Sequence, residues 1–493
     1  MIKTVGKRAL GVIPFAIVAT LFLLIYSTTT SPLFPHLYGY DSAFFILVGK
    51  GMKDGMLPYV DFYDMKGPYL FFLQYLGQLI CDGRTGAFII QVVNLTAALI
   101  LSDLCHKEIV AKDSKLYWVS RVINVLAVWG FLGLFDGGNM PEEFALPYLY
   151  FMLLLALRYI KLYERGIYQC PLHYGFLAGA AFMVNALMSL ANSSFLCGCL
   201  LAMIVVLVIK REFLNLAKNA GTFVLGMLAV FIPFAVAYGV RGALGEMLHC
   251  TFVYGMQYAQ SSATPAYNDL VWLLGIVPLG LLLARKKNLS WIVLGICVIV
   301  SQLVRFKVGR GFYHYYILLT PAISLGCCLI MSPLQTVQSV KQKVLDVAIR
   351  VVAVVLCVSL FPAPIKSFLT VSRNCVRAIE HNDSEKDYLA AIYVRDKIPE
   401  DKRDSVYGLG LVSRWYTMTG VYPCNRYCDW QDTLIGADAN IKMEIDDFMT
   451  NNPPEYVVVC NNYRIDFILA YLEKDYTLVY GEERYQLYEL NKP

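Results

Sequence analysis

The chain of 493 residues is 57% hydrophobic and 16% charged, against roughly 25% charged in an ordinary soluble domain, which excludes a large soluble enzyme. Its apolar residues fall into runs of about 17 to 22, the length that crosses a hydrocarbon core as a helix. A formal charge of +5, carried in short basic clusters between those runs, forms no stripe for nucleic acid and reads as the topology signal of a polytopic membrane protein.

Lys3, Lys7 and Arg8 precede the first apolar stretch, which reaches Tyr26. No small-residue cleavage site follows, so it reads as an uncleaved first helix with a cytoplasmic N-terminus. The next basic clusters, at 106–115, 158–165, 210–218, 285–287 and 341–343, are then also cytoplasmic. An odd number of crossings must therefore separate Asp41 from Lys107. The apolar stretch 67–80 is short and interrupted by Gln74, Gly77 and Gln78, so it is laid along the outer surface while 86–104 crosses. Further crossings follow at 117–135, 143–160, 173–190, 194–209, 219–239, 268–284, 290–304, 315–333 and 345–361, about eleven in all. Parity leaves 136–142, 241–267, 305–314 and everything beyond Phe361 outside.

After Phe361 the apolar runs shorten and charge rises, which marks a soluble segment. Strands are expected at 404–410, 455–460 and 476–490, with helices at 384–397 and 464–474, a pattern that fits a small α/β domain of about 120 residues. Of the fourteen cysteines, those in apolar runs (Cys197, Cys199, Cys297, Cys327, Cys328 and Cys357) pack as small hydrophobes. Cys375, Cys424, Cys428 and Cys460 of the tail have no diagnostic spacing.

Three polar stretches fall on the expected outer face: YGYDSAFFILVGKGMKDGMLPYVDFYDMKGPYLFF, FDGGNMPEEFALP and RFKVGRGFYHYYILLTP. Asp41 opens the apolar segment 42–48. There it serves either as a helix N-cap or as a general base aimed at an acceptor hydroxyl. Glu142 and Glu143 open a span and complement its dipole. Because adjacent helical side chains point about 100° apart, one of them could also face a site as a second acid or a metal ligand. Arg305, Lys307, Arg310 and His314 gather cationic character at the outer end of a span. They would bind lipid headgroups, or recognise a phosphate carried on a lipid, with Lys66 joining them. Tyr313, Tyr315 and Tyr316 read as an aromatic belt.

These residues carry a resemblance. Asp41, Phe44, Gly49, Gly55, Pro58, Tyr59, Asp61, Lys66, Gly67 and Pro68 resemble the first outer loop of bacterial membrane glycosyltransferases of the GT-C fold, a group that includes protein mannosyltransferases and the lipid A aminoarabinose transferase. GNMPEEFALP resembles their acidic second loop and GRGFYHYYILLTP their G…HY…L…P segment. The resemblance implies a GT-C catalytic domain over 1–361, with an outer loop 30–85 carrying interfacial helices, and an extracytoplasmic α/β domain over 362–493. It also implies a polyprenyl-phosphate-linked sugar donor, transfer at the outer face of the plasma membrane and inversion at the anomeric carbon. The acceptor would be a cell-surface polysaccharide, a lipid-linked glycan or a protein.

In that scheme Asp41 is the catalytic base or acceptor-binding carboxylate, and Glu142 or Glu143 the second acid. Lys66, Arg305, Lys307, Arg310 and His314 hold the donor phosphate, and Asp61, Tyr59 and Tyr315 line the acceptor side or the loop. No cofactor is specified, and a divalent metal stays open. The chain departs from several relatives in having Lys66, Gly67 and Pro68 where they have Lys-Pro-Pro, and it lacks the WWDYG-type signature of oligosaccharyltransferases. The alternative is a transporter or flippase of a lipid-linked saccharide, which would place binding groups near the midplane on broken helices. Asn185, Asn192 and Gln302, the main polar residues in or near span interiors, read instead as helix-packing amides. A scaffolding role leaves the outer clusters unexplained.

Overall fold

The computed structural model describes residues 2–114, 116–132, 137–260, 267–286, 288–308, 312–332, 340–359, 369–370, 372–373, 376, 383–410, 413–460, 466–481 and 484–491. Helix α1 (Ile2–Tyr26) is followed by two short helices, α2 (Asp41–Lys53) and α3 (Pro68–Ile80). The long α4 (Arg84–Ile109), α5 (Tyr117–Leu132), α6 (Pro141–Glu164), α7 (Leu172–Ala186), α8 (Ser194–Ile209) and α9 (Phe213–Val240) come next. After the short α10 (Leu244–Leu248) and α11 (Gly255–Gln260), the bundle is completed by α12 (Tyr267–Leu283), α13 (Leu289–Val308), α14 (Thr320–Met331) and α15 (Val340–Ser359). Among the described residues, six stretches are long and apolar enough to cross a membrane: Arg84–Ile109, Pro141–Glu164, Leu190–Ile209, Phe213–Val240, Leu289–Phe306 and His314–Met331. The apolar parts of α1, α5 and α12 are shorter.

Both α3 and α6 start on proline, the residue that loses least by lacking an N–H in the first turn. With 13 residues α3 is about 20 Å long, too short to cross. Its polar interruptions turn inward. Gln74 donates to Asn139 Oδ1 at 2.7 Å, while Gln78 donates to the Gly83 carbonyl at 3.0 Å and accepts from the Gly83 N–H at 2.6 Å. In sequence these glutamines look like breaks in an apolar face; in the fold they are buried staples.

Beyond residue 383 the strands are β1 (Val406–Leu409), β2 (Tyr456–Cys460), β3 (Tyr476–Gly481) and β4 (Tyr485–Leu490), in the sheet order β1-β2-β4-β3. The β1–β2 pair is parallel and the other two pairs are antiparallel. The run 476–490, expected as one strand, is therefore a hairpin. The buried β1 and β2 share an apolar core with the chain around α2 and α3: Phe44, Tyr59, Phe62, Tyr63 and Phe71 cluster with Trp415, Tyr427 and Ile445. Hydrogen bonds lock the contact, from Tyr63 N to Arg426 O at 2.9 Å and from Thr417 Oγ1 to Ala43 O at 2.8 Å.

Candidate active site

The polar residues converge where α2, the 57–67 loop, the start of α6 and the end of α13 meet. Asp41 is the first residue of α2. The N-cap position is Tyr40, which makes no side-chain cap hydrogen bond; Asp41 lies half-buried in the first turn. The sequence GGNM holds this helix end against α6. Gly137, Gly138 and Asn139 all take positive φ, at 88°, 94° and 64°, a turn that two glycines and an asparagine tolerate. Asn139 then donates to Ser42 Oγ at 3.0 Å and to Gln74 Oε1 at 3.3 Å, so one amide ties α2 and α3 to the start of α6.

The same turn separates the two glutamates. Glu143 is fully buried and bonded: Gln91 Nε2 donates to its two oxygens at 3.2 and 2.9 Å, and the Asn139 N–H donates to Oε2 at 3.1 Å. Of the two glutamates expected as a second acid, Glu143 is thus the one held in place by hydrogen bonds. Glu142 is 1% exposed and its Oε2 has no partner. Truncating Glu143 to Ala should cost about 1–3 kcal/mol by orphaning buried donors, seen as a lower melting temperature in detergent. Glu142→Gln should leave the melting temperature within a degree or so of wild type.

Lys66 is positioned through its backbone. Asp64 Oδ1 accepts from the Lys66 N–H at 2.8 Å, and Tyr59 Oη donates to the Lys66 carbonyl at 2.8 Å. Gly67 N donates to Met188 O at 2.9 Å and Tyr69 N to Leu187 O at 2.8 Å, pinning the loop on the end of α7. A Cβ at Gly67 would overlap the Leu187 carbonyl, which accounts for glycine at the position where Lys-Pro-Pro was the comparison. Tyr59 and Asp61, expected on the acceptor side or in the loop, are found in the loop. Tyr59 is 0% exposed among apolar neighbours, with φ 73°, and Asp61 accepts from the Leu57 N–H at 2.6 Å to close a turn. Both belong to the loop: Tyr59 is closed off, and Asp61 is half-exposed with one oxygen spent on the turn.

Arg305, near the end of α13, is 7% exposed, and its Nε and Nη1 have no partner. Its guanidinium lies 4.2 Å from the centre of the Tyr315 ring, a cation–π contact. Arg305 and Glu142 act on each other electrostatically, and Tyr315 feels Glu142, Lys66, Arg305 and Tyr258. Burial opposes the Lys66 charge, but Asp64 and Asp41 outweigh it and carry its pKa above the ordinary lysine range. Lys66 is therefore an ammonium at any physiological pH. His314 stacks on Phe312 with ring centres 5.5 Å apart and meets Tyr315 edge-on at 4.6 Å. The expectations for Arg310 and for the Lys307 side chain lie outside the described residues.

Three members were missed in the sequence. Asp64 sits beside Lys66, and burial raises its pKa. Tyr258 acts on Lys66 and Tyr315. Asp429 comes from the far end of the chain: it is 6% exposed, accepts from the Trp430 N–H at 3.1 Å and leaves Oδ2 unpartnered. Burial raises its pKa, with Asp41 and Asp64 adding to the effect. No periodicity or motif marks Asp429. Among the described residues, no group of three or more His, Cys, Asp or Glu is placed to hold a metal ion.

No family model and no curated protein matches the sequence. Solved structures do. The crystal structure of ArnT, the lipid A aminoarabinose transferase, from Cupriavidus metallidurans bound to undecaprenyl phosphate aligns with TM-score 0.61 at 12% identity, covering 97% of this chain and 98% of that one. The apo state of the same protein aligns with TM-score 0.61 at 13% identity, covering 98% of each. At such identity the likeness is one of fold: the chain has the GT-C fold of ArnT over nearly its whole length.

Proposed function

We propose that the chain is a membrane glycosyltransferase that moves a sugar from a polyprenyl-phosphate-linked donor to an extracytoplasmic acceptor, a cell-surface polysaccharide, a lipid-linked glycan or a protein. The observation that carries this reading is the meeting of two cations, Lys66 and Arg305, with two carboxylates, Asp41 and Glu142, at one end of the helical bundle. The fold of a protein crystallised with undecaprenyl phosphate supports it.

In this reading about eleven helices cross the plasma membrane and the N-terminus is cytoplasmic. The basic side chains Lys161, Lys210 and Lys286 cluster by the opposite ends of their helices, so the positive-inside rule turns the site outward. Residues 362–493 then form an extracytoplasmic α/β domain above it. The lipid tail stays in the bilayer while Lys66 and Arg305 hold the phosphate, with Arg310, Lys307 and His314 lending further contacts. Asp41 accepts the proton of an acceptor hydroxyl as its oxygen bonds to the anomeric carbon. The bond from that carbon to the phosphate oxygen breaks with inversion, and the two cations stabilise the charge left on the polyprenyl phosphate. Glu142 orients the reacting ring opposite Arg305.

The test is to supply the purified protein in proteoliposomes with labelled undecaprenyl-phosphoryl hexoses and candidate wall polysaccharides. The expected result is label on the acceptor with release of undecaprenyl phosphate. Passage of the intact labelled lipid across the bilayer, with no release, would establish the flippase instead.

A further inference from the structure

The loop that presents Lys66 turns on Tyr59, whose φ of 73° is a left-handed conformation that a bulky side chain keeps only where its surroundings hold it. The Tyr59 N–H donates to the Phe62 carbonyl at 2.7 Å to close the turn. The chain then runs through Tyr63 to Lys66, where Tyr59 Oη donates to the Lys66 carbonyl at 2.8 Å. A shift of Tyr59 or Tyr63 is therefore a shift of Lys66.

Both tyrosines meet one residue from the C-terminal part of the chain, Arg426. Its carbonyl accepts from Tyr63 N at 2.9 Å, its Nη1 lies 3.5 Å from the Tyr59 carbonyl oxygen, and its guanidinium lies 5.4 Å from the centre of the Tyr63 ring. Tyr427 and Tyr254 also pack on Tyr63, with ring centres 5.0 and 5.2 Å away. The guanidinium is aimed by two acids. Nη2 donates to Glu444 Oε2 at 2.7 Å and to Tyr427 Oη at 2.8 Å, and Nη1 donates to Oε2 of Glu246, in α10, at 3.4 Å.

The strength of these ion pairs does not explain the arrangement. Glu246 and Glu444 are 46% and 50% exposed, and pairs so open to water add little stability. The apolar contact of Phe44, Phe62 and Trp415 already joins the two parts of the chain. What a planar guanidinium adds is direction. With its nitrogens drawn to the two acids, it holds Nη1 toward the Tyr59 carbonyl and its charge against the Tyr63 ring.

We propose that Arg426 is a positioning residue for Lys66, the side chain through which the C-terminal part of the chain fixes the loop that offers the ammonium to the donor phosphate. The inference rests on the transferase reading, in which Lys66 binds that phosphate. It makes the affinity for the lipid carrier depend on a residue 360 positions away that does not itself touch the carrier.

The test is a double-mutant cycle on the binding of undecaprenyl phosphate to the protein in nanodiscs. Arg426→Ala should weaken binding about tenfold, and Arg426→Lys, which keeps a charge between the two glutamates but lacks the fork, about threefold. In a Lys66→Gln background each should change affinity by less than about twofold, because the group they position is gone. A substitution that merely loosened the fold would weaken binding equally in both backgrounds, so equal losses overturn the proposal. So does an affinity that neither substitution lowers in the wild-type background. If Arg426→Ala fails to fold, Arg426→Lys carries the cycle alone. Lys66→Gln that by itself leaves binding intact would overturn the donor reading, a distinct result.

Discussion

Asp41→Asn lowers transfer by a factor on the order of 10²–10⁴, the usual contribution of a positioned general base, while donor binding and folding persist. The asparagine keeps the shape of the side chain but cannot take a proton. Helix α2 is held by contacts that leave the Asp41 carboxylate aside. Asn139 holds Ser42, and Thr417 holds the Ala43 carbonyl, one and two residues along. The measurement is the single-turnover rate with a saturating undecaprenyl-phosphoryl donor, alongside donor affinity and melting temperature. Full turnover by the variant would remove Asp41 from the chemistry.

Lys66→Gln acts on a different step. A hydrogen bond from an ammonium to a phosphate is worth about 1.5–3 kcal/mol, so undecaprenyl phosphate affinity should fall by about 10- to 150-fold. The backbone around residue 66 is fixed by contacts the substitution leaves alone: the Tyr59 hydroxyl on the Lys66 carbonyl, the Asp64 carboxylate on its N–H and the Gly67 N–H on Met188. The loss is therefore one of charge rather than of loop structure. A decrease of less than twofold would show that the phosphate lies elsewhere.

Much of the architecture is legible in the sequence because apolar runs and proline or glycine punctuation are local signals. The expected strands at 404–410 and 455–460 are strands, and six of the expected crossings overlap helices of the described residues that are long and apolar enough to span. The division of 476–490 into two strands was hidden, since tyrosine and leucine continue through both of them. Within the site, Asp41, Lys66, Glu142 and Arg305 were legible as charges out of place in an apolar chain. What could not be read locally is which of two adjacent acids is spoken for. Glu143 rather than Glu142 is satisfied because Gln91, far off in sequence, happens to reach it. Tyr59 and Asp61 sit in the expected loop, Tyr59 donating to the Lys66 carbonyl and one Asp61 oxygen accepting from the Leu57 N–H. Asp429 was beyond reach, since a contact closed by the packing of a remote sheet leaves no mark in the residues around it.

The account stands on Lys66 and Arg305 jointly holding one lipid phosphate. Native mass spectrometry of the purified protein with undecaprenyl phosphate tests this most directly, comparing wild type with a Lys66→Gln, Arg305→Gln double variant that melts as wild type does. One bound lipid on the wild type and none on the variant is the result the account predicts. Equal retention by both would contradict it.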